Sequence, residues 1–137
     1  MMYDGRTLLE AIERHECMAL LRNTCVGRIA VVVEGEPLVL PVNFVVDDDT
    51  IVFRTAEGTK FDACVQNARV AFEVDQIDTR SHAGWSVLVR GRAQEITDPD
   101  ELARARRLPL NPWARAPKPH FVRLQPDTVS GRRIPTP

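Results

Sequence analysis

The sequence has no long apolar run, no excess charge of either sign and no cysteine pairs. The longest apolar stretches, Ile29 to Val33 and Leu38 to Val46, are far too short to span a bilayer. A net charge of −1 gives no global field that would favour nucleic acid or an anionic membrane. The first residues, Met1 to Arg6, lack the basic and apolar regions of a signal peptide, so a cytoplasmic protein is expected. Cys17, Cys25 and Cys64 are odd in number and form no Cys-x-x-Cys, which excludes a zinc-ligand pattern and points to reduced thiols. There is no Gly-x-Gly-x-x-Gly and no strand–helix–strand alternation, so a Rossmann-type nucleotide site is not expected. Asp47-Asp48-Asp49 lacks the glycine and closing glutamate of an EF-hand loop and reads as a solvated hairpin turn. Lysine is scarce: only Lys60 and Lys118 stand among 18 basic residues.

What is present fits one domain over residues 1–137, with 44% apolar residues to form a core. Leu8, Leu9, Ile12 and His15 fall at helical spacing, and Met18 to Leu21 continue the apolar set, so one helix or two short ones are expected from Thr7 to Arg22. Val26 to Val33 and Leu38 to Val46 read as a hairpin about Glu34-Gly35-Glu36. The second strand is apolar at nearly every position, so both its faces should be covered. Pro41 within it signals an edge, bulge or kink, and Asn43 is its one polar side chain. Strands are also expected over Thr50 to Thr55, Arg69 to Asp75 and Gly84 to Ile96. A helix should follow Thr97-Asp98-Pro99, and a last strand pair should run His120 to Gln125 and Val129 to Ile134, broken at Pro126-Asp127. Hairpin-linked strands with an inserted helix argue for a mainly β fold, an antiparallel barrel with two to three peripheral helices.

The chemistry concentrates at Arg54-Thr55-Ala56-Glu57-Gly58-Thr59-Lys60-Phe61-Asp62. Thr59 with Asp62 is a capping-box-like start for a helix whose apolar face carries Phe61, Cys64, Val65 and Ala68. A helix start presents free N–H groups and a positive dipole end, and Arg54, Thr55, Thr59 and Lys60 add two cations and two hydroxyls. The same signature serves as an ordinary helix cap or as a phosphate site.

The order of short motifs carries more than any one of them. Val26-Gly27-Arg28-Ile29-Ala30 comes first, then Pro41-Val42-Asn43-Phe44, then the Thr55 to Lys60 turn. The strand ending at Asp75, Gly84-Trp85-Ser86-Val87-Leu88-Val89-Arg90-Gly91 and Ser130-Gly131-Arg132-Arg133 follow. This series resembles the pyridoxamine 5′-phosphate oxidase-like superfamily of FMN-binding split barrels, over roughly Glu16 to Ile134. The resemblance implies a six-stranded antiparallel split β-barrel and a homodimer with flavin in the grooves between subunits. It implies that Thr55, Thr59 and Lys60 hold the FMN phosphate, with Thr59 and Lys60 adjacent where the family commonly has one residue between. Pro41, Val42 and Asn43 match the strand along the isoalloxazine ring, and Arg54 and Ala56 match positions beside the ring and ribityl chain. Trp85 and Ser86 match the strand lent by the second subunit.

An FMN-dependent oxidoreductase acting on a small organic acceptor is the function this implies. The alternatives are a reductase of the same fold using the deazaflavin F420, and a non-catalytic flavin- or haem-binding barrel. The chain ends without the Arg-Leu-His-like motif of true pyridoxamine 5′-phosphate oxidases, so vitamin B6 phosphates are not expected as substrates. His82 and His120 are the available acid–base groups.

Overall fold

The computed structural model describes residues 2–3, 8–56, 58, 69–110 and 118–134. Among them are eight strands: β1 (Met2–Tyr3), β2 (Leu8–Ile12), β3 (Val26–Val33), β4 (Glu36–Asp47), β5 (Thr50–Thr55), β6 (Arg69–Asp78), β7 (Ala83–Glu95) and β8 (His120–Ile134). Two helices accompany them, α1 (Arg14–Arg22) and α2 (Pro99–Ala105). The helix expected after Thr59, and with it Cys64, lies outside the described residues.

All pairings are antiparallel, in the order β1-β2-β8-β5-β4-β3-β6-β7, and β7 pairs back onto β8. Strands β3 to β8 therefore close a six-stranded barrel. Two tight turns set its register. Glu34 and Gly35 both have positive φ, as do Asp48 and Asp49, the signature of two-residue type I′ hairpins whose twist matches the strands. The main core fills the barrel: Ile29, Phe44, Phe53, Phe72, Val89 and Leu124 are buried there, with Phe44 edge-on to Phe72 at 4.9 Å. Cys17, Met18 and Leu21 of α1 pack into that same cluster. Burial pushes the Cys17 thiol above its ordinary value, with Glu16 adding to the shift, so it is an inert packing group. A smaller core lies outside the barrel, where Val52 and Phe121 pack against Ile96, Ala105 and Leu110.

Four expectations from sequence are corrected. Residues Leu8–Ile12 form a strand, not a helix: Glu10, Ala11 and Ile12 pair with Arg133, Arg132 and Gly131 of β8. Five residues with four apolar positions satisfy either period, and an available strand edge decides. The last strand pair is one strand, β8, carrying a bulge: Arg90 pairs with Thr128 but Gly91 with Pro126, so Asp127 is the extra residue. Proline has no N–H to lose, and the bulge absorbs it without ending the ladder. The outer face of β4 is not covered within one chain, since Val39 is 60% exposed and Pro41 is exposed. A continuous apolar run suggests burial on both sides, whereas the barrel interior covers only one.

The Asp47 turn is not simply solvated. Asp47 is 8% exposed and accepts from Arg104 Nη2 at 2.7 Å and Arg123 Nη1 at 3.0 Å. These bonds tie the β4–β5 hairpin to α2 and β8. Burial raises the Asp47 carboxyl, but the two arginines outweigh it and hold it below its usual value. A lowered carboxylate contributes stability that is present above its unfolded value, about 3.9, and is lost as pH falls through the folded one. We expect Asp47→Asn to lower stability at neutral pH by about 2 kcal/mol, because it leaves Arg123 without its carboxylate and Arg104 with the exposed Asp48 alone. The variant should also lose less stability than wild type below about pH 4. Urea unfolding across pH checks both.

Candidate functional site

The barrel wall is split beside β5. β4 pairs with β3 along its length, from Glu36 against Val33 to Asn43 against Val26. It pairs with β5 only from Phe44 onward, opposite Phe53. Among the described residues, no strand faces Glu36 to Asn43 on the β5 side. In an antiparallel strand every second residue turns its N–H and C=O to a given side. This stretch, with Pro41 in it, therefore presents ladder groups that the sheet does not use.

Paired residues share a face, so side chains can be assigned to the inside or outside. Phe44 and Phe53 point into the core, which turns Asn43 and Arg54 outward and Val42 and Thr55 inward. Asn43 is the first residue of β4 past the last β5 pairing, and Arg54 stands one residue beyond Phe53 on β5. Asn43 is half-buried and its Nδ2 donates to the Cys25 carbonyl at 3.4 Å. Arg54 is held from two directions. Its Nε–H donates to the Lys118 carbonyl at 3.0 Å, and its guanidinium lies over the Phe121 ring at 4.9 Å. The terminal nitrogens of a guanidinium so fixed keep their charge and fork geometry for an anion.

Thr55 is 2% exposed and its hydroxyl donates to the Ala56 carbonyl at 3.0 Å, so it shapes the end of β5. Ala56 is half-buried just beyond the strand. Gly58 has φ of +143° in an exposed turn, a conformation that suits glycine. Thr59 and Lys60 lie outside the described residues. Opposite Thr55, His120 Nδ1 meets Glu95 Oε2 at 2.7 Å, both side chains mostly covered. This side-chain contact, the Phe121 platform and the Lys118 carbonyl were not legible in sequence. Each depends on where β8 meets β5 and β7, and no local spacing records that. His82 sits apart, exposed at the β6–β7 tip with φ of +60° and its N–H on the Asp78 carbonyl.

Trp85 and Ser86 are not brought to this corner. Trp85 pairs with Arg133 and Ser86 with Arg132, near the far end of β8, whereas Arg54 pairs with Phe121 near its start. Phe121 and Arg132 are eleven residue steps apart, roughly 35 Å of strand path at ~3.3 Å each. Trp85 instead packs half-buried against the main core.

A family model described as pyridoxamine 5′-phosphate oxidase matches residues 13–133. The chain belongs to this family. The match spans α1 to the end of β8, and so includes all six barrel strands and the split at β4 and β5. A solved FAD-binding protein of Mycobacterium smegmatis is 41% identical, superposes with a TM-score of 0.77, and is matched over 90% of this chain and 97% of its own. A FAD-binding protein of Mesorhizobium loti is 28% identical with a TM-score of 0.75, over 92% of this chain and 96% of its own. An uncharacterized protein of Mycobacterium tuberculosis is 36% identical, covering 90% of this chain and 84% of that protein. Among the described residues no helix is long and apolar enough to cross a membrane.

Proposed function

We propose that this chain is a flavin-binding oxidoreductase of the family, holding FMN at the corner where β4 and β5 part and acting on a small organic acceptor. The observation that carries the reading is the split itself, which leaves backbone groups of Pro41 and Asn43 turned to the side where β5 carries a guanidinium fixed at Arg54. A flavin needs backbone donors and acceptors along its polar ring edge, an apolar slot and cations for its phosphate. The Asn43 N–H and the Pro41 and Asn43 carbonyls, on either side of Val42, would supply the first, and Arg54, with Thr59 and Lys60 further along the chain, the last. When bound, the flavin supplies the hydride and electron chemistry. The chain's own part is to orient the ring and keep the phosphate neutralised.

The same corner suits any flavin with a phosphate beyond its ribityl chain, F420 included. A relative 41% identical is a FAD-binding protein, which favours FAD as the second reading. Two features support a homodimer with cofactor between subunits. Trp85 and Ser86 lie far from Arg54 within one chain, so a second copy would have to bring them to the corner. An apolar outer sheet face is also left uncovered.

The purified protein should be yellow, and the flavin released on denaturation should be identifiable by chromatography. Protein that is colourless and fails to bind FMN, FAD or F420 in fluorescence titrations would sink the proposal. Turnover with reduced nicotinamide and a panel of quinones and nitro compounds separates an enzyme from a binding barrel.

A further inference from the structure

The start of β8 holds Arg54, yet its own ladders stop short of the atoms that do so. The last pair of β8 with β5 is His120 against Thr55. Its last pair with β7 is Val122 against Glu95, followed by one bond from the Ile96 N–H to the Phe121 carbonyl at 2.8 Å. Lys118 lies two residues before His120, beyond both ladders. Its carbonyl nevertheless takes the Arg54 Nε–H at 3.0 Å, and the Phe121 ring, one residue after His120, carries the guanidinium at 4.9 Å.

Side-chain direction separates two roles at this point. Paired residues share a face, and successive residues of a strand alternate. Val122 and Thr55 are buried on the inner face, so Glu95 and His120 point inward while Arg54 and Phe121 point outward. On the inner face His120 Nδ1–H donates to Glu95 Oε2 at 2.7 Å, the two side chains being only 20 and 27% exposed. A carboxylate only accepts, so Nδ1 carries the proton. A charge-assisted bond sheltered in this way is stronger than a neutral one. It joins the last ladder residue of β7 to the last residue of β8 that pairs with β5, and so fixes the point from which the chain runs back to Lys118.

We propose that Glu95 and His120 are positioning residues for the phosphate clamp: their bond pins the first residue of β8 and so sets the Lys118 carbonyl and the Phe121 ring where they fix Arg54. The inference rests on the flavin reading above, in which Arg54 meets the phosphate. Both residues act from the inner face, through a guanidinium that stands on the outer one. Without the pin, the guanidinium regains rotamer freedom that phosphate binding must then remove, which lowers affinity.

A double-mutant cycle on the full chain, read by fluorescence titration with FMN, tests this. Glu95→Ala should weaken FMN binding about 10-fold, within the range for coupling inside one hydrogen-bonded network. His120→Phe, a ring without the donor, should match it. Glu95→Gln keeps an acceptor for Nδ1–H and should restore most of the affinity. In an Arg54→Ala background Glu95→Ala should cost nothing further. Riboflavin, which has no phosphate, should bind wild type and Glu95→Ala alike. A Glu95→Ala loss that persists in the Arg54→Ala background, or that riboflavin shares, reports damage to the barrel end and overturns the positioning role. That role also falls, with the flavin reading left standing, if Glu95→Ala and His120→Phe bind FMN as wild type does or if neither folds. Arg54→Ala with wild-type FMN affinity, or a wild-type chain that binds no flavin, overturns both.

Discussion

Gly91→Ala should destabilise the barrel by about 3 kcal/mol, lowering the melting temperature by roughly 10 °C for a chain of this size. A Cβ at Gly91 would lie 2.0 Å from the Gln125 carbonyl oxygen and 3.0 Å from Pro126 Cα. Both atoms are backbone, so no rotamer can yield. The contact exists because β8 bulges here, bringing its main chain against β7 at the point where the register shifts. β7 and β8 form the seam that closes the ring, and their displacement would be felt along both strands. Gly35→Ala is the control. Gly35, unlike Gly91, has a positive φ, but nothing lies within 4 Å of its Cβ position, so only the backbone strain of ~1 kcal/mol applies. Thermal unfolding of the two variants should separate clash from strain. Equal losses would remove the close approach as the reason for glycine at 91.

Arg54→Ala should weaken flavin binding by about 10- to 100-fold, the effect of one charge-assisted contact to a phosphate. The flavin-free variant should stay folded, because among the described residues the side chain gives the fold a bond to the Lys118 carbonyl and a stack on Phe121. Arg54→Lys should recover part of the affinity. It keeps the charge, but it has neither the planar fork nor the Nε–H that fixes it. Lys60→Ala should likewise lose affinity without unfolding, by a similar factor, as expected of a point-charge contact to the same phosphate. Fluorescence titration with FMN and FAD gives the constants. Affinities unchanged in both variants would take the phosphate away from this corner.

The elements most legible in sequence are those where local pattern and tertiary need agree. β3, β5 and β6 stand where β-branched and alternating residues put them, and β6 merely runs on to Asp78. Asp98 caps α2, its side chain accepting from the Glu101 N–H, with Pro99 in the first turn as expected. Local pattern misleads where the deciding partner is remote in the chain. Leu8–Ile12 is a strand because β8 offers it an edge, and β8 runs through Pro126 because β7 accommodates a bulge. Asp47 looks like a loop acid until Arg104 and Arg123 are set against it.

The sequence alone determined the family, the mainly β barrel and the residues to be weighed for a cofactor, because ordered short motifs survive as a linear record. It could not show that Arg54 is locked by Phe121 and Lys118, that β4 leaves β5 at Asn43, or that Trp85 lies at the far end of β8. Those facts belong to strand register, which is fixed by pairings between residues tens of positions apart. The cluster of Arg28, Glu73 and Asp75 is of the same kind. Each is an ordinary surface residue in the sequence, and only the closing of β3 against β6 sets Arg28 within 3.0 Å of Glu73 and 2.9 Å of Asp75.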